Sequence, residues 1–398
     1  MVTHTHSHLS PLDASKVRLN RTTNPKPVPV PESQDLQEMD MATDHMILVP
    51  WTAKEGWDIP KLVPYGPLPL MPSSSVLNYA TECFEGLKVH RGYDGRLRLL
   101  RPEYNCKRML QSAARVTLPA FDPQELLKLI HTICAVEAPK WLPPAQAGSA
   151  LYIRPSLIGT DAVIGIKVPA HALLCIFLVY WQGPRLIAST SAGEAVSECG
   201  SRLLASDESV ARAYPRGTGA AKIGANYGPT LLEHARAQKQ GYDQVLWLFG
   251  PDRQITEAGG SNIFIIWTTP SGSLQIVTPP LDEDQLILAG NTRGFVLELS
   301  REMFSHERQD DAGKCDVLER KVLMMELEQA AEEGRLEGVF VTGTAWQIHP
   351  VRVIGINGRE ILIPVRRVPH VSLLKDRMAG IVYGKEESGW AQVVEEGH

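Results

Sequence analysis

From residue 43 onward the chain alternates short apolar runs with stretches of helical spacing, and these two patterns predict its elements. His45–Pro50 (HMILVP), Ser149–Ile158 and Ala172–Trp181 are rich in β-branched and aromatic residues and predict strands. His90–Leu100 predicts an extended pair turned at Asp94-Gly95. Ser75–Phe84 fits either a helix or a strand end. Asn105–Ala114 and Asp122–Val136 carry helical spacing, the second with Asp122 as its cap and Pro123 in its first turn. In the second half, Tyr227–Gln240, Thr292–Met303 and Val322–Glu333 predict helices. Gln244–Phe249, Asn262–Trp267 and Gly338–Thr342 predict buried strands.

Strands and helices mix without a regular βαβ alternation and without an internal repeat, which predicts an α+β protein of two lobes. Residues 1–37 read as a flexible tail, because Pro25–Glu32 (PKPVPVPE) is extended and proline-rich. Its His4, His6 and His8 alternate with polar residues and read as solvated rather than metal-binding. A smaller N-terminal domain is expected over 38–181, a polar linker over 182–194 and a larger C-terminal domain over 195–398.

Composition removes several classes of function. The 398 residues carry 40 Lys and Arg against 45 Asp and Glu, a net charge of −5. With no basic block, that balance argues against nucleic acid and anionic membranes as partners. The longest apolar run, Ala172–Trp181, is half of the ~20 residues a membrane span needs. The six cysteines are scattered and contain no CxxC pair, so disulfide scaffolds and thiolate zinc sites are not expected and no metal site is assigned. Met1–Ser10 has no apolar stretch of the secretory kind, and a cytoplasmic address is expected.

A few polar residues sit where chemistry is plausible. Lys222 is crowded by glycines and alanines (GTGAAKIGANYG), an environment that desolvates an amine and frees it for Schiff-base chemistry; its alternative is a lysine on a flexible surface loop. Glu257 (QITEAGG) precedes a glycine pair and a buried strand, and either caps a turn or faces a cationic partner such as a protonated ring nitrogen. Gly290-Asn291-Thr292 leads into a helix whose N-terminus suits a phosphate, and Thr342-Gly343-Thr344 is a second candidate; capping alone explains either. Arg108 offers a guanidinium to the same phosphate or is a surface helix arginine. NYATECFEG and LYIRP combine apolar bodies with hydroxyls and charges, as core tyrosines also do.

Taken together and in this order, the segments resemble the branched-chain amino acid aminotransferases, pyridoxal phosphate enzymes of fold type IV. The resemblance runs nearly the full length: TDHM at 43–46, ECFEGLK at 82–88, RLLRPEYNCKRM at 98–109, LYIRPSLIGT at 151–160, GTGAAKIGANYG around Lys222, QVLWLFG at 244–250, QITEAG at 254–259, TPPLD at 278–282 and TGTA at 342–345. The stretch from Leu12 is also similar to the mature start of fungal members. It implies a smaller N-terminal α/β lobe, a larger C-terminal lobe with a β-barrel-like sheet, and a homodimer whose loop near Val163–Ile166 reaches the partner's pocket.

The resemblance also assigns roles. Lys222 matches the lysine that carries pyridoxal phosphate covalently and shuttles the proton. Tyr227 matches the tyrosine bonded to the cofactor's phenolic oxygen, and Glu257 the carboxylate facing its ring nitrogen. Arg108, the Asn291 and Thr292 amides and the Thr344 hydroxyl match the phosphate grip. Tyr79, Tyr152 and Arg154 match the network that orients substrate carboxylates, Phe84 a pocket wall, and Thr344 with Ala345 the turn that receives the α-carboxylate.

Several pocket positions depart from the family pattern. Gln37–Asp40, Met39 among them, replaces a Phe-Gly stretch; Gly260 replaces a threonine; Arg185 stands near a family tyrosine; and Trp346 to His349 replaces a CxxC pair. These changes keep the cofactor residues and alter the side-chain pocket. L-leucine, L-isoleucine or L-valine with 2-oxoglutarate is the expected pairing. A larger hydrophobic amino acid of a fungal specialised-metabolite pathway is the alternative. A D-amino acid aminotransferase, an aminodeoxychorismate lyase and a non-catalytic dimeric scaffold are less well matched by the intact motifs.

Overall fold

The computed structural model describes residues 9–29, 41–181, 200–304, 314–364 and 369–397. The expected linker at 182–194, with Arg185, and the Gln37–Asp40 stretch with Met39 lie outside the described residues. The chain divides into two compact units: the first is 1–182 with 221–225 and 379–398, the second 183–220 with 226–378.

In the first unit a ten-stranded sheet runs in the order Arg18–Leu19, Lys61–Pro64, Ala42–Thr52, His171–Trp181, Ala150–Gly159, Leu87–Arg91, Leu97–Leu100 and Ala391–Val394, with Gly56–Trp57 and Glu82–Phe84 branching from it. Its longest pairing is antiparallel, Ala150–Gly159 against His171–Trp181, in continuous register from Ala150↔Trp181 to Gly159↔Ala172. The predicted turn at Asp94-Gly95 joins an antiparallel pair with Val89 opposite Leu99, and Gly95 takes the positive φ of +79° that the turn requires. The Ser75–Phe84 ambiguity resolves into both readings: a helix over Ser75–Tyr79 and a strand over Glu82–Phe84, separated at Ala80, whose φ is +50°. The helix Pro123–Trp141 is capped by the Asp122 carboxylate, which accepts the Gln124 N–H at 2.9 Å. Its Ile130, Ile133 and Trp141 pack with Ile47, Leu99, Leu151 and Ile153 in the core of the unit.

Part of the expected tail is built into this unit. Leu12 and Ala14 are buried in the core, and Ala14 N–H donates to the Glu125 carboxylate at 2.6 Å. The Thr22 N–H donates to His45 Nε2 at 2.8 Å, while His45 Nδ1 pairs with Glu137 at 2.5 Å. Lys26 Nζ donates to the Ala42 carbonyl at 2.8 Å. Two apolar side chains and a row of backbone bonds thus hold a segment whose composition reads as unstructured.

The second unit carries a nine-stranded sheet, in the order Gln254–Ala258, Gln244–Phe249, Ser201–Ala205, Gln347–Ile356, Leu336–Gly343, Asn262–Thr268, Leu274–Thr278 and Asp316–Glu319, with Arg359–Leu362 beside Gln347–Ile356. Parallel and antiparallel pairs mix, and Asn262–Thr268 is buried on both faces except at its last residue. Helices Leu231–Lys239, Asn291–Phe304 and Met324–Glu332 belong to this unit; His370–Val382 starts in it and ends in the first. The predicted helix over Tyr227–Gln240 is α-helical only from Leu231, because Gly228-Pro229 takes a tighter turn first.

Candidate active site

In the first unit the helix Pro102–Arg115 sets one half of the site. Asn105, Arg108 and Ser112 share one face through their helical spacing, and all three are buried. Ser112 Oγ accepts the Lys222 N–H at 2.8 Å, and the Lys222 carbonyl accepts the Phe84 N–H at 3.1 Å, so the 221–225 segment lies between the helix and the strand Glu82–Phe84. Lys222 Nζ stands 4.7 Å from the centre of the Phe84 ring. Burial, assisted by the Arg108 charge, lowers the Lys222 amine to about 8, while Glu85 pushes it upward.

Arg108 Nε donates to Glu85 Oε1 at 2.6 Å and its Nη2 to Glu85 Oε2 at 2.8 Å, a two-bond ion pair with both side chains buried. Burial works to raise the Glu85 carboxyl; the Arg108 charge and hydrogen bonds overcome it and hold the group below its ordinary value. Arg154 stacks over both Phe84, at 4.8 Å, and Tyr152, at 5.2 Å, and its Nη2 donates to the Tyr152 hydroxyl at 3.3 Å. A side chain at Gly86 would fall 1.9 Å from that hydroxyl, so glycine there makes room for Tyr152. Tyr79 lies apart, its hydroxyl accepting the Gly165 N–H at 2.9 Å in the apolar turn Val163–Ile166.

In the second unit, Tyr227, Glu257, Gly260, Leu288, Trp247 and Arg212 line a cavity of about 290 Å³. Glu257 is buried in the strand Gln254–Ala258. Its Oε1 accepts the Leu288 N–H at 2.9 Å and Asn262 Nδ2 at 3.2 Å, and its Oε2 pairs with Arg212 Nη2 at 2.8 Å. Gly260 faces open space, with no atom within 4 Å of an added Cβ. Asn291 and Thr292 open the helix Asn291–Phe304, whose positive dipole end suits an anion. Thr344 and Ala345 form the turn between Leu336–Gly343 and Gln347–Ile356. The Trp346 ring lies 4.5 Å from that of His349, tilted by 43°, and burial lowers that imidazole to about 4.

The predicted residues thus fall into two groups. Phe84, Arg108, Tyr152, Arg154 and Lys222 gather in one unit; Tyr227, Glu257 and Gly260 gather around one cavity in the other. Glu85 and Arg212 were not singled out from the sequence, yet each holds the charge of a predicted residue. An acid between a phenylalanine and a glycine, and an arginine near an alanine, carry no local mark; only their distant partners reveal them.

These residues fit pyridoxal phosphate. A desolvated amine suits an aldehyde, a fixed carboxylate at a cavity suits a ring nitrogen, and a buried arginine suits a phosphate. At Gly290 a side chain would fall 2.1 Å from Asn262 Oδ1, so glycine there makes room for the Asn262 amide that donates to the Leu288 carbonyl at 2.9 Å and to Glu257 at 3.2 Å.

Residues 82–354 match the family described as amino-transferase class IV. The mitochondrial branched-chain-amino-acid aminotransferase of Rattus norvegicus is 40% identical over 379 residues, 95% of this chain and 91% of that protein. The cytosolic enzyme of the same description from Saccharomyces cerevisiae is 39% identical over 395 residues, 97% of this chain and 98% of its own length. A solved branched-chain aminotransferase from Thermoproteus uzoniensis, with norvaline, shares the fold at a TM-score of 0.65 and 24% identity, over 87% of this chain and 99% of that one.

Proposed function

The chain belongs to the class IV aminotransferases, whose cofactor is pyridoxal 5′-phosphate, and from that premise we propose that it moves the amino group of L-leucine, L-isoleucine or L-valine to 2-oxoglutarate. The observation that carries this reading is the Lys222 amine, lowered to about 8 within a group that contains Phe84, Arg108, Tyr152 and Arg154. Bound pyridoxal phosphate supplies the aldehyde that exchanges amines and a ring that takes up charge during the exchange.

The side chains do the rest. Lys222 Nζ, lowered to about 8 by burial, is the group that would hold and return the substrate's α-proton when the cofactor is bound. Glu257, paired with Arg212, would face the cofactor's ring nitrogen and offer it a charge-assisted bond. Arg108, the amides at Asn291 and Thr292 and the Thr344 hydroxyl would hold the phosphate. The Tyr227 hydroxyl would bond the cofactor's phenolic oxygen. Arg154, Tyr152 and Tyr79 orient carboxylates, Thr344 and Ala345 receive the α-carboxylate at their turn, and Phe84 excludes water.

Borohydride reduction of the purified protein followed by peptide sequencing tests the reading. The label is expected on Lys222, and a label elsewhere refutes it. Turnover of D-leucine alone refutes the choice of L-amino acids. The open space at Gly260 favours a second reading, a bulkier hydrophobic amino acid, which the same assay with a panel of L-amino acids decides.

We propose a homodimer, on the apolar turn at Val163, Ile164, Ile166 and Val168; Ile166 is 95% exposed in the single chain. Sedimentation of wild type against Ile166→Glu tests it: the variant is expected to run as a monomer, and unchanged sedimentation refutes this face. Among the described residues no helix is long and apolar enough to cross a membrane, and five cysteines are free and buried. We place the protein in the cytoplasm, a reducing compartment. Since a mitochondrial relative is equally similar, fractionation of cells expressing it decides.

A further inference from the structure

The cavity beside Glu257 carries two polar side chains that the proposed reaction leaves unused. His234, on the helix Leu231–Lys239, and Gln244, at the start of the strand Gln244–Phe249, both line it. Two other polar groups of the wall are committed elsewhere, Arg212 to Glu257 and the Leu286 carbonyl, and Thr230 Oγ1 to the Tyr227 carbonyl at 2.6 Å. The Gln238 amide nitrogen lies 3.0 Å from His234 Nε2 and donates to it, which places the ring's own proton on Nδ1. The Gln244 side chain lies against Gly259, where an added Cβ would fall 1.9 Å from its Oε1, so its amide stands next to the open position at Gly260. Among the described residues, neither His234 Nδ1 nor the Gln244 side-chain amide has a protein hydrogen-bond partner.

Leu231, Val245, Trp247 and Leu288 make the rest of this wall apolar. At about 290 Å³ the cavity has roughly twice the ~150 Å³ that takes a benzene ring, which is room for an aromatic side chain beside a cofactor ring. A donor at Nδ1 and an acceptor at Oε1 match a hydroxyl, which accepts one hydrogen bond and donates another. A branched aliphatic side chain offers neither and leaves both groups unpaired when it shuts water out. We propose that His234 and Gln244 are specificity-determining residues that, with the opening at Gly260, select a bulky hydrophobic L-amino acid whose side chain ends in a phenolic hydroxyl. The inference rests on the transaminase reading above and deepens its second form by naming the substrate class.

The test titrates the protein loaded with pyridoxal phosphate with two unreactive carboxylates that differ by one hydroxyl, phenylpropanoate and its para-hydroxyl derivative, and with isocaproate, which has the leucine skeleton. Calorimetry reads the dissociation constants, and kcat/KM for L-phenylalanine, L-tyrosine and L-leucine is measured alongside. The wild type is expected to hold the hydroxylated acid about tenfold more tightly than phenylpropanoate, and both more tightly than isocaproate. His234→Leu is expected to erase that margin and Gln244→Leu to narrow it. His234→Asn, whose Nδ2 takes the place of the ring Nδ1, is expected to keep part of it. Equal binding of the two aromatic acids by the wild type overturns the proposal, as does a margin that survives both leucine variants. Tighter binding of isocaproate than of either aromatic acid also overturns it and leaves the branched-chain reading standing. If a leucine variant does not fold, Gln238→Leu, which removes the group that sets the ring's proton, is expected to narrow the margin; an unchanged margin overturns the proposal. A wild-type protein that transaminates none of the three amino acids refutes the transaminase reading itself, a result distinct from failure of the His234 and Gln244 assignment.

Discussion

Arg212 Nη2 lies 2.8 Å from Glu257 Oε2, and both side chains are buried. The same guanidinium donates through Nη1 to the Leu286 carbonyl at 3.1 Å, so it is fixed at two ends. Removing one member of such a pair strands the other charge. Arg212→Met is expected to destabilise the protein by roughly 3–5 kcal/mol, and Arg212→Met with Glu257→Leu to recover part of that loss. Chemical denaturation of the two variants checks this; equal stability of the single variant and wild type contradicts it.

Lys222 is lowered to about 8 from an ordinary 10.5, chiefly by burial. The neutral amine is the nucleophile, so capture of pyridoxal phosphate by the cofactor-free protein is expected to quicken with rising pH and level off above about 8. Stopped-flow absorbance reads this rate. A midpoint near the ordinary lysine value counts against a desolvated amine.

Lys88 is buried beneath Trp181, 4.5 Å from its ring, and desolvation lowers it to about 7. Between pH 7 and 10.5 the unfolded chain holds this proton and the folded one does not, so stability rises with pH across that window. Lys222 works in the same direction above about 8. Lys88→Met is expected to remove the Lys88 share of the slope, leaving a flatter stability profile between pH 7 and 8. Urea midpoints measured at half-unit pH steps show it, and an unaltered slope rules it out.

At Gly260 the Cβ position is open, and the residue does not take a positive φ. Gly260→Thr is therefore expected to fold with a stability change within about 0.5 kcal/mol. It narrows the cavity that Glu257 and Tyr227 share, so the ratio of kcat/KM between a bulky amino acid and valine is expected to fall by roughly 10–200-fold. An unchanged ratio separates Gly260 from side-chain selection.

Leu12 is 3% exposed within the core of the first unit. Leu12→Ala is expected to cost about 2–5 kcal/mol in thermal or chemical unfolding. A neutral result places residues 9–26 outside the cooperative fold.

Most elements were legible because their apolar runs have the right period and length. Asn262–Thr268 reads as a strand from its β-branched and aromatic residues alone, and Asp122-Pro123 marks a helix start that the capping bond confirms. The failures share one cause, since local pattern carries no long-range contact. Leu12 and Ala14 are too few to announce a buried segment, and what holds Ala14 is a carboxylate 111 residues away. Leu231 starts its α-helix four residues late because Pro229 steers the residue before it, Gly228, away from the α conformation, and Gly228–Thr230 takes a tighter 3-10 turn first. Motif order exposed Lys222 and Glu257, whereas Glu85 and Arg212 became visible only as the partners of charged groups.

The last strand of the first sheet, Ala391–Val394, pairs with Leu97–Leu100, nearly three hundred residues earlier in the chain. During synthesis the earlier strand therefore leaves the ribosome long before its partner, and its edge waits unpaired while the whole second unit is made. A nascent chain stopped at residue 378 lacks both that strand and the end of the helix His370–Val382. Early termination thus exposes a bare sheet edge, a hazard for aggregation that places chaperone dependence late in translation rather than at its start.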